Sequence, residues 1–224
     1  MKILILDSGP IINFSMNGLL NLIEKLDSIP DIDIAITQEV KKEIVDHPIN
    51  IPRFELGALK SQKLIENKIL KLPRELNVSD EEIKKGTEKI MSLINTSLKS
   101  NGKYIKIVSD AECSCLALSK ILTKKGIENM IAIDERTTRT LFEKPENLEK
   151  LMSKKLKRRI KLMNKDFLKF GKFRFIRSSE LAYVSYKKGF TKLKSKKALE
   201  ALIYATKYKG SSISYEEIKE LKRL

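Results

Sequence analysis

Residues 1–10 read MKILILDSGP, and this opening decides the fold class. The run ILIL at 3–6 is short, aliphatic and uninterrupted, so it reads as a buried strand. Asp7 follows it directly, and Ser8, Gly9 and Pro10 come next. A strand this apolar has little reason to end in a carboxylate unless the carboxylate serves something beyond the strand. Outward from here, short apolar runs alternate with longer amphipathic ones. Apolar helical segments run from Pro10 to about Leu26, DIDIAI (31–36) is a second strand, and TQEVKKEIVDH is a helix with Thr37 as N-cap. ILKL (69–72) is a shorter strand, and 79–100 is a helix opened by Ser79 and Glu82 in capping-box spacing. SDAECSCLALSKILTKKG (109–126) gives another helix, MIAID (130–134) another strand and FRFI (173–176) a fifth. Helices near 178–188, 195–208 and 214–223 close the chain, with Gly189 and Gly210 as stops. Alternation of this kind builds a parallel sheet covered by helices, an α/β fold.

The composition of the 224 residues, 42% apolar and 33% charged, excludes a disordered tail and a membrane protein. No signal peptide or spanning segment is read at the N-terminus, so the expected compartment is the cytoplasm, with no membrane partner. Cys113 and Cys115 lie two apart, point in different directions on a helix, cannot pair with each other without distorting it and are read as reduced. With His47 as the single histidine, a multi-histidine zinc cluster is excluded, and any metal must be held by oxygen ligands.

The formal charge of +16 points to a polyanionic partner, and its distribution is more informative than its total. Residues 1–149 carry 22 basic and 23 acidic side chains, whereas residues 150–200 carry 18 and 3. In the densest part, Leu148, Met152, Leu156, Ile160, Met163, Phe167 and Phe170 recur at helical steps, which predicts one basic amphipathic helix ending at Gly171. Three readings compete: a solvated charged face, a membrane-surface helix, and a surface for phosphate backbones. Twelve bases against one acid between 150 and 177 exceed what solubility needs and favour the last. Lys154, Lys155, Lys157, Arg158, Arg159 and Lys161 are the residues expected to hold RNA.

In open parallel sheets, ligands bind beyond the carboxyl ends of the strands. Asp7 and Asp134 stand there, and Glu43 and Glu112 lie near the starts of helices that would flank the crevice. Carboxylates gathered without histidine or cysteine suit a hard divalent cation, Mg²⁺ or Mn²⁺, able to activate water beside a phosphodiester. Each acid also has an ordinary reading. Glu112 completes a capping box with Ser109, Glu43 could be a surface residue, and Asp134 could be the N-cap of the next helix.

Four pieces in order (LDSGP, ITQEVKKEI, AECSCLALSK and IAIDERTTR) resemble the PIN-domain family of metal-dependent ribonucleases, over residues 1 to about 142. The C-terminal run from Tyr186 is similar to the tail of an archaeal and bacterial branch of PIN-like proteins. The resemblance implies a three-layer α/β/α fold with a parallel sheet of about five strands in order 3-2-1-4-5. Together with the residue pattern, it gives an expected nuclease domain over 1–188, carrying a basic helical insertion at 147–171 read from the charge pattern, and a helical segment at 189–224 packed on the same domain. It also implies one or two Mg²⁺ or Mn²⁺ ions held by Asp7, Glu43, Glu112 and Asp134, with Ser8 as the hydroxyl residue after the first acid. Asp110 and Glu135 are alternatives at the third and fourth positions. The insertion is longer and more basic than a typical member's connection, so its role does not carry over.

The expected activity is therefore an endoribonuclease that prefers single strands. An RNA-binding or assembly protein on a nuclease-like scaffold is the first rival. A toxin held by an antitoxin protein is the second, and a homodimer remains open. An aspartyl-phosphate phosphatase is disfavoured because Gly9 occupies the position where such enzymes need a second aspartate.

Overall fold

The structure, a computed structural model, describes residues 1–223. From the N-terminus the elements run β1 (Lys2–Leu6), α1 (Ser8–Met16), α2 (Asn21–Asp27), β2 (Ile32–Ala35), α3 (Gln38–Lys41) continued by a π-helical turn (Lys42–Asp46), α4 (Pro52–Glu66) and α5 (Asp80–Asn95). They continue through β3 (Leu98–Ser100), β4 (Lys103–Tyr104), α6 (Asp110–Lys124), β5 (Glu128–Ala132), α7 (Arg136–Glu143), α8 (Leu148–Leu156), β6 (Lys161–Leu162), β7 (Phe175–Ile176), α9 (Ser178–Lys187), α10 (Lys196–Tyr208) and α11 (Tyr215–Leu221). The chain is thus mixed α/β. No helix among the described residues is long and apolar enough to cross a membrane.

Strand β1 lies inside a four-stranded parallel sheet of order β2-β1-β5-β7. Leu4 stands opposite Ile34 on one side and Met130 on the other, so both edges of β1 are hydrogen-bonded and its end is fixed from two directions. That explains the unbroken apolar run: Ile3, Ile5 and Leu6 are buried beneath helices. The sheet has four strands where about five were expected. ILKL contributes one parallel bridge, Lys71 to Ala35, on the outer edge of β2. Pro73 and the 3₁₀ turn Pro73–Leu76 end the pairing there, because proline has no N–H for the ladder.

Helix starts follow the local chemistry. Ser79, Ser109 and Ser214 each close a capping box, and Thr37 and Ser195 cap α3 and α10. Two helical expectations fail. The helix expected over 79–100 stops at Asn95, and Leu98–Ser100 turns back on Lys103–Tyr104 through Asn101 and Gly102, both at positive φ. Asn-Gly is the hairpin signal that the helical reading passed over. The basic helix expected to reach Gly171 ends at Leu156, with Lys157 left-handed at φ 50°. Beyond it, β6 pairs with β3, which makes a second, antiparallel three-stranded sheet. Leu148, Met152, Ile160, Phe167 and Phe170 are all buried in the main core, so their helical spacing reflects burial rather than one continuous helix. Helix α4 had no sequence expectation. Gly57 at its middle lowers helix propensity but lets α4 lie close to α1, where a Cβ would stand 2.7 Å from Ser15 Oγ and turn that hydroxyl aside.

The C-terminal helices are held by polar contacts to α1. Asn13 donates to the Thr206 carbonyl (2.8 Å) and Asn17 to that of Ala205 (3.3 Å). Cys113 and Cys115 are unpaired and buried.

The 147–171 stretch therefore contributes to the core instead of projecting as an arm. Phe167 is fully buried, with its ring edge-on to Phe142. Phe167→Ala is expected to destabilise the whole domain by about 3–5 kcal/mol in urea unfolding. A loss below about 1 kcal/mol would mean that the stretch does not pack as seen.

A candidate carboxylate site

Strand β1 carries Asp7 to the end of the sheet, where the residue becomes the N-cap of α1 with extended backbone. The residue is 5% exposed, and its Oδ1 has no hydrogen-bond partner. Burial, then the nearby Glu112 carboxylate, and to a lesser degree Glu43, push its pKa up to about 8 against the pull of the Ser8 and Gly9 amides. Glu43 lies in the π-helical turn, and Ser8 Oγ donates to its Oε2 at 2.5 Å. Single π turns of this kind are frequent at functional sites.

Glu112 does two things at once. Its Oε2 accepts the Ser109 amide (2.7 Å) as the closing half of the capping box, and its Oε1 accepts the Thr138 hydroxyl (2.8 Å). Burial raises its pKa despite those bonds. Asp134 is held just as firmly, with Oδ1 accepting both the Ser178 amide (2.9 Å) and hydroxyl (3.0 Å) and Oδ2 accepting Asn13 Nδ2 (3.3 Å). Burial raises its pKa too. The cap of α7 is Glu135 rather than Asp134.

All four acids line one open cleft of about 460 Å³, together with Ser8, Gly9, Glu135, Lys155, Lys209 and Gly210. Residues as far apart as Asp7 and Asp134 therefore converge, as their positions at strand ends require. In the present side-chain arrangement, no three His, Cys, Asp or Glu groups among the described residues form a ready metal-ligand set. The donor chemistry nonetheless fits a hard cation: oxygen ligands only, with the buried Asp7 Oδ1 lacking a partner.

The alternative acids separate clearly. Asp110 is exposed, pairs with Lys106 (3.2 Å) and does not line the cleft. Glu135 does line it. Burial would raise its pKa, but bonds from Lys155 and Thr137 outweigh that and hold its carboxyl below the usual range.

Lys154, Lys155, Lys157, Arg158, Arg159 and Lys161 are all exposed, but they do not share a helix face. Only Lys155 of this set reaches the cleft, where its Nζ stands 2.8 Å from Glu135. Lys209, a cation that sequence reasoning missed, lines the cleft from the C-terminal end of α10. Asn13, Thr138 and Ser178 were missed as well. Asn13 alone had a signal, as a polar residue within the apolar run IINF.

No family model matches the chain, and no match was found among the curated proteins or the solved structures.

Because the folded-state pKa of Asp7 lies above its ordinary value of 3.8, the protonated carboxyl favours the fold. That contribution is fully present below the unfolded pKa and is lost as pH rises through about 8. In chelator, Asp7→Asn is thus expected to gain stability relative to wild type by an amount on the order of 1 kcal/mol or more from about pH 5 to about pH 8. Thermal unfolding of both proteins across this range checks it, and a pH-independent difference would contradict the buried, crowded carboxyl.

Proposed function

We propose that this chain is a metal-dependent endoribonuclease acting on single-stranded RNA, with Asp7, Glu43, Glu112 and Asp134 as its catalytic carboxylates. The observation that carries this reading is Asp7, a buried acid at a parallel-strand end with an unpartnered oxygen and two further carboxylates close enough to raise its pKa. Such an arrangement is unfavourable unless a proton or a cation neutralises it. The ordered four-motif resemblance to PIN-domain ribonucleases points the same way.

A bound Mg²⁺ or Mn²⁺ would lower the pKa of a water and stabilise charge on the phosphodiester. The chain's own residues orient the acids that would hold it. Ser8 fixes Glu43, Ser109 and Thr138 fix Glu112, and Ser178 and Asn13 fix Asp134. Lys155 and Lys209 place positive charge on the rim, suited to the phosphates of an incoming strand. The remaining basic residues of 154–161 would extend that attraction without reading sequence.

A second reading, an RNA-binding protein whose acids are not catalytic, is favoured by one specific observation. Glu112 and Asp134 already serve the fold, as a helix cap and as the acceptor for the Ser178 amide.

The test is cleavage of single-stranded RNA by the full chain with Mn²⁺. Asp7→Asn and Glu43→Gln are each expected to reduce the rate by on the order of 10²-fold while binding at low salt is retained. Undiminished cleavage by both variants would reject the carboxylate assignment. Tight binding by wild type without metal-dependent turnover would establish the second reading.

A further inference from the structure

Next to the carboxylate cleft lies a second cavity of about 560 Å³ with the opposite charge. Six cations line it, Arg136, Arg139, Lys144, Lys150, Lys154 and Arg177, against the two carboxylates Glu143 and Glu217. The two hollows are neighbours by covalent connection. Glu135 lines the first and Arg136 the second, Lys155 the first and Lys154 the second, and Gly210 the first and Ser212 the second.

The second hollow also concentrates unmet hydrogen-bonding capacity. Arg139 Nε, Arg177 Nε and Ser212 Oγ are buried without a partner, and all three residues line this cavity. Arg177 is the most enclosed, its side chain 5% exposed. Its terminal nitrogens are held by Glu180 (2.5 Å) and Glu217 (2.8 Å), which fix the guanidinium and leave Nε unused. Arg139 is likewise fixed by Glu143 through Nη2 (3.1 Å). Buried donors without acceptors carry a desolvation penalty, so three in residues of one lining favour an acceptor that they meet when these side chains turn into the cavity. A tetrahedral anion with several oxygens can meet donors from separate directions, and guanidinium groups match it in shape and charge.

We propose that this cavity binds a phosphate group, with Arg139, Arg177 and Ser212 as its donors. Arg139 comes from α7, Arg177 precedes α9 and Ser212 precedes α11, so binding would tie three helices together. The lysines on the rim attract the polyanion to which such a phosphate belongs. The ligand is either a backbone phosphate of a polynucleotide or its terminal phosphate, since both present anionic non-bridging oxygens, two in the diester and three in the terminal monoester. The proposal goes beyond the nuclease reading and does not require it.

The test is calorimetric titration of the full chain in chelator with inorganic phosphate and with two short single-stranded oligoribonucleotides, one 5′-phosphorylated and one 5′-hydroxyl. Arg139→Gln is expected to weaken phosphate binding at least about tenfold, the size of a charged hydrogen bond, and Ser212→Ala about threefold. Loss confined to the phosphorylated strand identifies a terminal phosphate, and equal loss on both strands identifies a backbone phosphate. Asp7→Asn, outside this cavity, is expected to leave the affinity for inorganic phosphate unchanged, so failure of cleavage and failure of this pocket are separately visible. Ser212→Ala removes one hydroxyl and is the check against misfolding of the arginine variant. The proposal is overturned if no titrant binds wild type, or if neither substitution weakens any of them.

Discussion

Everything around the cleft depends on one difficulty, a carboxyl group placed at the buried end of β1 beside two others. Asp7 lies where two neighbouring strands fix the backbone, so it cannot move away from Glu112 and Glu43 without disturbing the sheet. Desolvation and mutual repulsion both act against its charge. The fold answers with dipoles. Asp7 caps α1, Glu112 closes the first turn of α6, Glu135 caps α7, and Asp134 accepts the first amide of α9. Four helices thus begin at the acids, each turning the positive end of its dipole towards negative side chains. Helix starts and acidic residues form one device here, and Glu112 closes a cap and lines the cleft at once.

That overlap also explains how much could be read from the chain alone. Buried parallel strands are written locally, as aliphatic runs, and Asp7 and Asp134 were visible because they interrupt such runs. Serine-opened helices were equally legible, because a capping box involves residues only three apart. The supporting groups were not. Asn13 reaches Asp134 across 121 positions and Thr206 across 193, and nothing near Asn13 in sequence carries that information.

The errors have the same origin. Apolar residues from Leu148 to Phe170 keep a helical spacing, yet the chain leaves the helix at Lys157 and buries the later members by other routes. Periodicity reports which residues face the core, and it implies a helix only if the backbone between them is continuous. Here β3 offers β6 a pairing edge, and a tertiary contact overrides a local preference. The strand expected at ILKL (69–72) failed for a local reason instead, since Pro73 leaves room for a single bridge at Lys71.

The broken basic helix has a consequence that an unbroken one would lack. Because α8 stops at Leu156 against the body of the domain, its adjacent Lys154 and Lys155 turn into different hollows, one basic and one acidic. A continuous helix projecting into solvent would have spread its charges along an arm, with each screened beyond about 8–10 Å at physiological salt. Held at the cleft and beside it, Lys155 and Lys154 offset part of the negative field of the carboxylates. Positive groups stand beside the four acids, and the packing of Met152, Ile160 and Phe167 into the core is what keeps Lys154 and Lys155 there.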